Sequence, residues 1–231
     1  MVTLQALEFS RQGYGVLVID LYGTGDSYGD FSESSWDLWK QNIEDACTWL
    51  TSQNTETISL WGLRMGALLA ADFAASATLQ FENMIMWQPI LSGETMIMQF
   101  LRLRVASAML NDNVENESTS VLRKKLSTGQ PVEVAGYQLM PELVNPLMTV
   151  RLNKLTIWPF KNVFVFEVAS QAGKQESAAN KNLTAKLNES GVAVKSETVI
   201  GPQFWSTQEI SEAPELLAKT SQSPLHCRNQ S

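Results

Sequence analysis

An α/β fold built on a mostly parallel sheet is predicted by three features of this sequence. Short apolar runs alternate with longer segments of helical period, Gly and capping residues stand where the period changes, and one long helical stretch interrupts the alternation. The runs read as strands are Tyr14 to Asp20, Thr57 to Trp61, Asn83 to Trp87, Val163 to Val168 and Val194 to Ile200, each rich in apolar or β-branched residues. Between them, Ser34 to Ser52 opens with Ser34-x-x-Asp37 as a helix start, Met65 to Ala77 is a largely apolar helical stretch, and Gln175 to Ser190 is closed by Gly191. From Gln88 to Phe160 no strand is predicted. There Met96, Phe100, Leu103 and Leu110 keep helical spacing, Ser118 to Leu126 reads as a second helix, and Pro131, Pro141 and Pro146 break the segment into short pieces. The resulting division is a core of residues 1–87 and 161–220, a helical cap inserted at 88–160, and a flexible tail at 221–231. Such a cap is expected to roof the carboxyl ends of the strands, where parallel sheets bind ligands.

Composition narrows the function. The 231 residues are 44% hydrophobic and 18% charged, enough for a full core. A net charge of −7, with no basic cluster beyond Arg123-Lys124-Lys125, argues against a nucleic-acid partner. Two distant cysteines, Cys47 and Cys227, and a single histidine, His226, give neither a zinc site nor a disulfide framework, so no metal and no cofactor is expected. No apolar stretch reaches the ~18 residues of a membrane span and the first residues do not read as a signal peptide, which places the expected location in the cytoplasm.

Two turns should carry the chemistry. After the first strand, Asp20-Leu21-Tyr22-Gly23-Thr24-Gly25-Asp26-Ser27-Tyr28-Gly29 is rich in glycine, yet Tyr28 stands where a dinucleotide fingerprint needs Gly, and the Lys-Ser/Thr of a phosphate loop is missing. The second strand runs through Gly62-Leu63-Arg64-Met65-Gly66 into an apolar helix. This is the spacing of a nucleophile elbow, Gly-x-Ser-x-Gly, with Arg64 at the nucleophile position, and a guanidinium cannot attack a carbonyl. A cation at a helix N-terminus is unfavourable by about 0.3–1 kcal/mol unless an anion compensates. Two readings therefore stand side by side: Arg64 and the free N–H groups of the turn hold a carboxylate, phosphate or sulfate of a ligand, or Arg64 pairs internally with Asp26, Asp20 or another acid.

These turns, the helical insertion and the order of strands resemble the α/β-hydrolase superfamily. More narrowly, GDSYGDF, LWGLRMGALLA, QFLRLR and GPQFWSTQEI resemble the exosortase A system-associated hydrolase 2 family, over nearly the whole chain to about Thr220. The resemblance implies a hydrolase-like protein accompanying the exosortase, PEP-CTERM and exopolysaccharide genes of bacteria. The chain departs from the superfamily pattern at all three triad positions. Arg64 replaces the nucleophile, Gly201-Pro202-Gln203-Phe204-Trp205 has aromatics where the histidine belongs, and Ser170 to Lys174 lacks the acid, with Glu167 inside the strand and Glu176 opening the next helix. By the same resemblance, Thr3 to Gln12 corresponds to the helix ahead of the superfamily's fourth strand, here Tyr14 to Asp20, and the third strand has no counterpart. Either the sheet closes up, with the Tyr14 strand shifted beside the Thr57 strand, or a strand slot stands empty beside Thr57 to Trp61 in a chain lacking its N-terminal strands, with Met1 an internal methionine of a longer protein; the second is the expectation.

The remaining candidates line the expected cleft: Asp26 and Ser27 from the first loop, Trp87 and Gln88 at a strand end, Arg102 on the cap, and Phe204 and Trp205 in the last loop. Trp87 reads as a pocket wall, Trp205 equally as wall or core, and Arg102 as facing either the cleft or solvent. Two functions follow. One is a binding module with a degenerate triad that takes an anionic or acylated small molecule, or a protein of the same pathway. The other is an active ester, thioester or acyl hydrolase or transferase with non-standard catalytic residues.

Overall fold

A computed structural model describes residues 1–109, 117–171, 173–207 and 209–223. In chain order its elements are α1 (Val2–Arg11), α2 (Trp36–Ser52), β1 (Leu60–Leu63), α3 (Met65–Ser76), β2 (Phe81–Trp87), α4 (Gly93–Met109), α5 (Thr119–Ser127), β3 (Val132–Val134), β4 (Tyr137–Leu139), α6 (Pro141–Thr149), β5 (Phe160–Ala169), α7 (Ala178–Glu189), β6 (Ala193–Ile200) and α8 (Pro214–Gln222), with short 3₁₀ turns at Phe31–Glu33 and Leu152–Lys154. Strands β1, β2, β5 and β6 form a wholly parallel sheet in that order, with Met84 opposite Leu60 and Val163, and Phe166 opposite Trp87 and Glu197.

The apolar runs of β2 and β5 are continuous because both faces of the sheet are covered. Alternate residues Ile85, Trp87, Phe164, Phe166 and Val168 pack with Phe9 of α1 and Leu216 of α8. Met84, Met86, Val163 and Val165 point the other way and share a core with α2, α3 and α4–α6. Serines cap α2, α5 and α7: Ser35 accepts from the N–H of Leu38, Ser118 from Val121 and Ser177 from Asn180. The α2 cap is thus Ser35 rather than Ser34, whose hydroxyl donates to the carbonyl of Tyr22 instead.

Two expectations are corrected. The segment between β2 and β5 is not free of strands, because β3 and β4 pair antiparallel around Ala135-Gly136, both at positive φ (51° and 83°) as a two-residue hairpin turn demands. The second correction concerns Tyr14 to Asp20. It runs without helix, turn or bend, yet it joins no strand, and Val16, Leu17, Val18 and Ile19 remain 36–58% exposed. A strand is defined by its neighbours' ladder hydrogen bonds, and among the described residues Gly15 to Ile19 make none.

Cys47 lies on the buried face of α2 at 2% exposure, and burial pushes its thiol up to about 11. Burial keeps the folded thiol neutral, so its stabilising contribution is complete below the pKa of the unfolded thiol and is lost as pH rises through about 11. Stability should therefore fall between pH 9 and about 11 more steeply in this chain than in Cys47→Ala, as read from urea unfolding midpoints at each pH.

Candidate functional site

The sheet brings the ends of β1, β2, β5 and β6 to one edge, followed by Arg64, Gln88, Ser170 and Gly201 respectively. At the first of these, β1 passes into α3 through Arg64, the N-cap residue, at φ 54° and ψ −116°. Side chains other than Gly rarely adopt this conformation, and it costs on the order of 1–3 kcal/mol. Three backbone bonds hold it: the Arg64 N–H donates to the carbonyl of Trp87, while the Arg64 carbonyl accepts from Ala67 and Ile90. Relieving that strain, Arg64→Gly should raise the melting temperature, a shift that differential scanning fluorimetry would register.

Of the two elbow glycines only Gly62 is demanded by packing. A Cβ there would fall on the backbone of Gly66 and Ala67, whereas one on Gly66 would meet nothing within 4 Å. The N–H groups of Met65 and Gly66 precede the first intrahelical bond, from Ala67 to Arg64, and point out of the helix start. Leu63 is half-buried against the α1–α8 side of the sheet.

The Arg64 guanidinium is half-buried, and burial holds it below its ordinary pKa. It lies 5.5 Å from the centre of the Trp205 ring. Neither Asp20 nor Asp26 pairs with it. Asp20 accepts the N–H of Asp26 through its side chain, and its carbonyl accepts the hydroxyl of Ser27, which keeps the first loop folded on itself. No carboxylate or hydrogen-bond partner for the guanidinium occurs among the described residues. That aromatic contact is worth about 0.5–2 kcal/mol according to its desolvation.

From Trp205 an edge-to-face chain of rings leads inward, through Phe204 at 5.0 Å to Trp87 at 6.0 Å and on to Trp61 at 4.7 Å. Trp87 is fully buried, and its Nε1 donates to Thr220 Oγ1 of α8 at 2.8 Å. The pocket-wall reading of Trp87 is thereby corrected: at a strand end facing α8, it is sealed by the helix and by Phe204. Gln88 turns the chain away from β2 at φ 43°, and its Oε1 accepts the N–H of Val168 at 2.7 Å, so its side chain extends the sheet instead of facing a ligand. Arg102 is exposed on α4. Glu167 Oε2 accepts from Ser177 and Asn180 at the start of α7, and Glu176 Oε1 accepts the hydroxyl of Ser196. His226 and Cys227 lie outside the described residues.

Arg64 lines neither of two cavities of about 380 Å³ each. One, which the sequence did not signal, is polar and lies between α4 and α7; there Glu94 pairs with both Arg123 and Arg151, residues far apart in the chain. The other lies under Leu17 and Ile19 beside α2, with Ser27 in its wall. Among the described residues no helix is long and apolar enough to cross a membrane, and no group of three His, Cys, Asp or Glu could hold a metal ion.

Comparison with solved structures agrees on the fold. Est1E from Butyrivibrio proteoclasticus, with ferulic acid bound, is 16% identical with a TM-score of 0.60 over 90% of this chain and 74% of its own. The metagenome-derived lipolytic enzymes LipS and LipT give 16% identity and a TM-score of 0.56 over 100% and 88%. The monoacylglycerol lipase of Paleococcus ferrophilus gives 14% and 0.56 over 96% and 86%. No curated protein matches the chain. The family described as serine aminopeptidase, S33 matches residues 3–154, a stretch that includes the elbow and the greater part of the helical insertion. With that match over more than half its length and a parallel sheet entering a strained elbow at Arg64, the chain belongs to the serine aminopeptidase S33 family of α/β-hydrolases.

Proposed function

We propose that this α/β-hydrolase is a binding protein with a degenerate triad, whose elbow holds the anionic group of a small molecule where its relatives would hold a nucleophile. One observation carries the reading. Arg64 is kept in a strained conformation at a helix start, half-buried, with no acid beside it among the described residues. Of the two alternatives open from sequence, the internal ion pair has no carboxylate to form it there. A carboxylate, phosphate or sulfate would receive the guanidinium fork and the N–H groups of Met65 and Gly66, with Trp205 and Phe204 against its apolar or acyl part. Residues 88–160 act as the cap in this reading. The setting is the bacterial cytoplasm, with the exosortase, PEP-CTERM and exopolysaccharide system supplying the ligand or a protein partner.

Titration calorimetry with octanoate and with inorganic phosphate tests the site. Binding of either, weakened about tenfold or more in Arg64→Gln, is the expected result. Equal binding by the variant, or no binding of either probe, would overturn it.

Membership of the S33 family supports a second reading, an ester, thioester or acyl hydrolase or transferase using other residues. A fluorophosphonate probe and a short-chain p-nitrophenyl ester distinguish the two, and specific labelling of one serine would favour the enzyme. On the binding reading Arg64→Ser gains no esterase activity, because a serine at the elbow lacks a base and an acid to activate it. A gain of several orders of magnitude would show that those partners exist elsewhere.

A further inference from the structure

The polar cavity between α4 and α7 takes its walls from three stretches far apart in the chain. Leu91 and Glu94 come from the passage of β2 into α4, Arg151 from just after α6, and Asn182 from α7. Backbone bonds lock the first two stretches together: the N–H of Gly93 donates to the carbonyl of Val150, and that of Leu152 to the carbonyl of Leu91. Gly93 permits the close approach, since a Cβ there would fall on the carbonyl oxygen of Leu147. On α7, Ala179, Asn182 and Leu183 share one helix face by their spacing of three and four, and Leu183 is buried in the core. The cavity is thus built on fixed elements, and its volume of about 380 Å³ lies within the ~300–1,000 Å³ of small-molecule sites.

Charge sets what the cavity can hold. Glu94 and Arg151 are the only charged residues in its wall. The Glu94 carboxylate already carries Arg123 on one oxygen and Arg151 on the other, so one negative charge stands against two positive ones. Arg151 spends only Nη2 on this pair, and the rest of its fork has no partner among the described residues. Around it, the hydroxyl of Thr95 and the amides of Asn153 and Asn182 make no hydrogen bond to any described residue. These groups offer donors and acceptors together, as hydroxyls require of their partners. Leu91 and Leu183 add apolar surface for a carbon skeleton. A cation would meet net positive charge here, and a plain fatty acid would leave the two amides unpaired on desolvation.

We propose that the cavity between α4 and α7 binds a small hydroxylated carboxylate of sugar-acid size, its carboxylate on the Arg151 fork and its hydroxyls on Thr95, Asn153 and Asn182. The site is independent of the elbow, since Arg64 lines no part of it. Titration calorimetry with D-gluconate tests it, run on the Arg64→Gln chain so that an anion held at the elbow adds nothing. Saturable binding is expected, about tenfold or more tighter than that of sorbitol, which lacks the charge, and of hexanoate, which lacks the hydroxyls. Asn182→Trp fills the cavity from a position with no side-chain bond to lose. It should weaken gluconate binding about tenfold or more while leaving the urea midpoint unchanged. Arg151→Gln should weaken binding to a similar extent, through loss of the charged fork. Three results would overturn the proposal: no saturable binding of gluconate, equal affinity for sorbitol or hexanoate, or undiminished binding by either variant.

Discussion

Trp87→Ala should be the most damaging single substitution in the sheet, lowering folding stability by about 3–5 kcal/mol, the cost of emptying a large aromatic site in a packed core. Trp87 is fully buried and touches the rings of Trp61 and Phe204, so its removal undoes two aromatic contacts as well as the volume it fills. It also strands the Thr220 hydroxyl, which accepts the indole N–H at 2.8 Å in the interface with α8. Leaving a buried polar group unpaired adds about 1–3 kcal/mol where water cannot replace the partner. Trp87→Phe separates the two terms, since it restores most of the volume but not the donor. The expected order of urea midpoints is wild type, then Trp87→Phe, then Trp87→Ala. A cleft-wall tryptophan would behave otherwise, with near-native stability in both variants.

The elbow glycines should respond in opposite directions. Gly62→Ala puts a methyl group onto the backbone of Gly66 and Ala67, which neither rotamer choice nor a flexible neighbour can relieve. The expected loss is about 1–3 kcal/mol or more, with the β1–α3 turn opening and Arg64 shifting relative to Trp205. Gly66→Ala meets open space in the first turn of α3, and replacing Gly by Ala in a helix is worth up to about 1 kcal/mol. Its thermal midpoint should equal or exceed that of the parent. Equal losses for both variants would mean that the close approach at Gly62 is not what holds the turn.

Much of the fold is legible from residues alone, for local reasons. Met84 and Met86 on one side of β2, with Ile85 and Trp87 on the other, form an unbroken apolar run that only a doubly covered strand can use, and the run says so without knowledge of which helices do the covering. The elbow is legible in the same way, because Gly62, Arg64 and Gly66 state a turn by their spacing. The hairpin β3–β4 is not legible, since three-residue strands are too short for periodicity to report and Ala135 is not a residue that favours the positive φ it adopts there.

What tertiary structure alone decided concerns partners. Periodicity shows that a face is buried, but the atoms burying it come from distant parts of the chain: Thr220 for Trp87, Val168 for Gln88, Trp205 for Arg64. Whether Arg64 met an acid could not be read from Asp20 and Asp26 in the sequence: the Asp20 carboxylate accepts the Asp26 N–H within its own loop, and neither acid reaches the guanidinium. Tyr14 to Asp20 marks the limit most sharply. Its residues specify a central strand, and a strand needs hydrogen bonds from neighbours that no residue of the segment can itself provide.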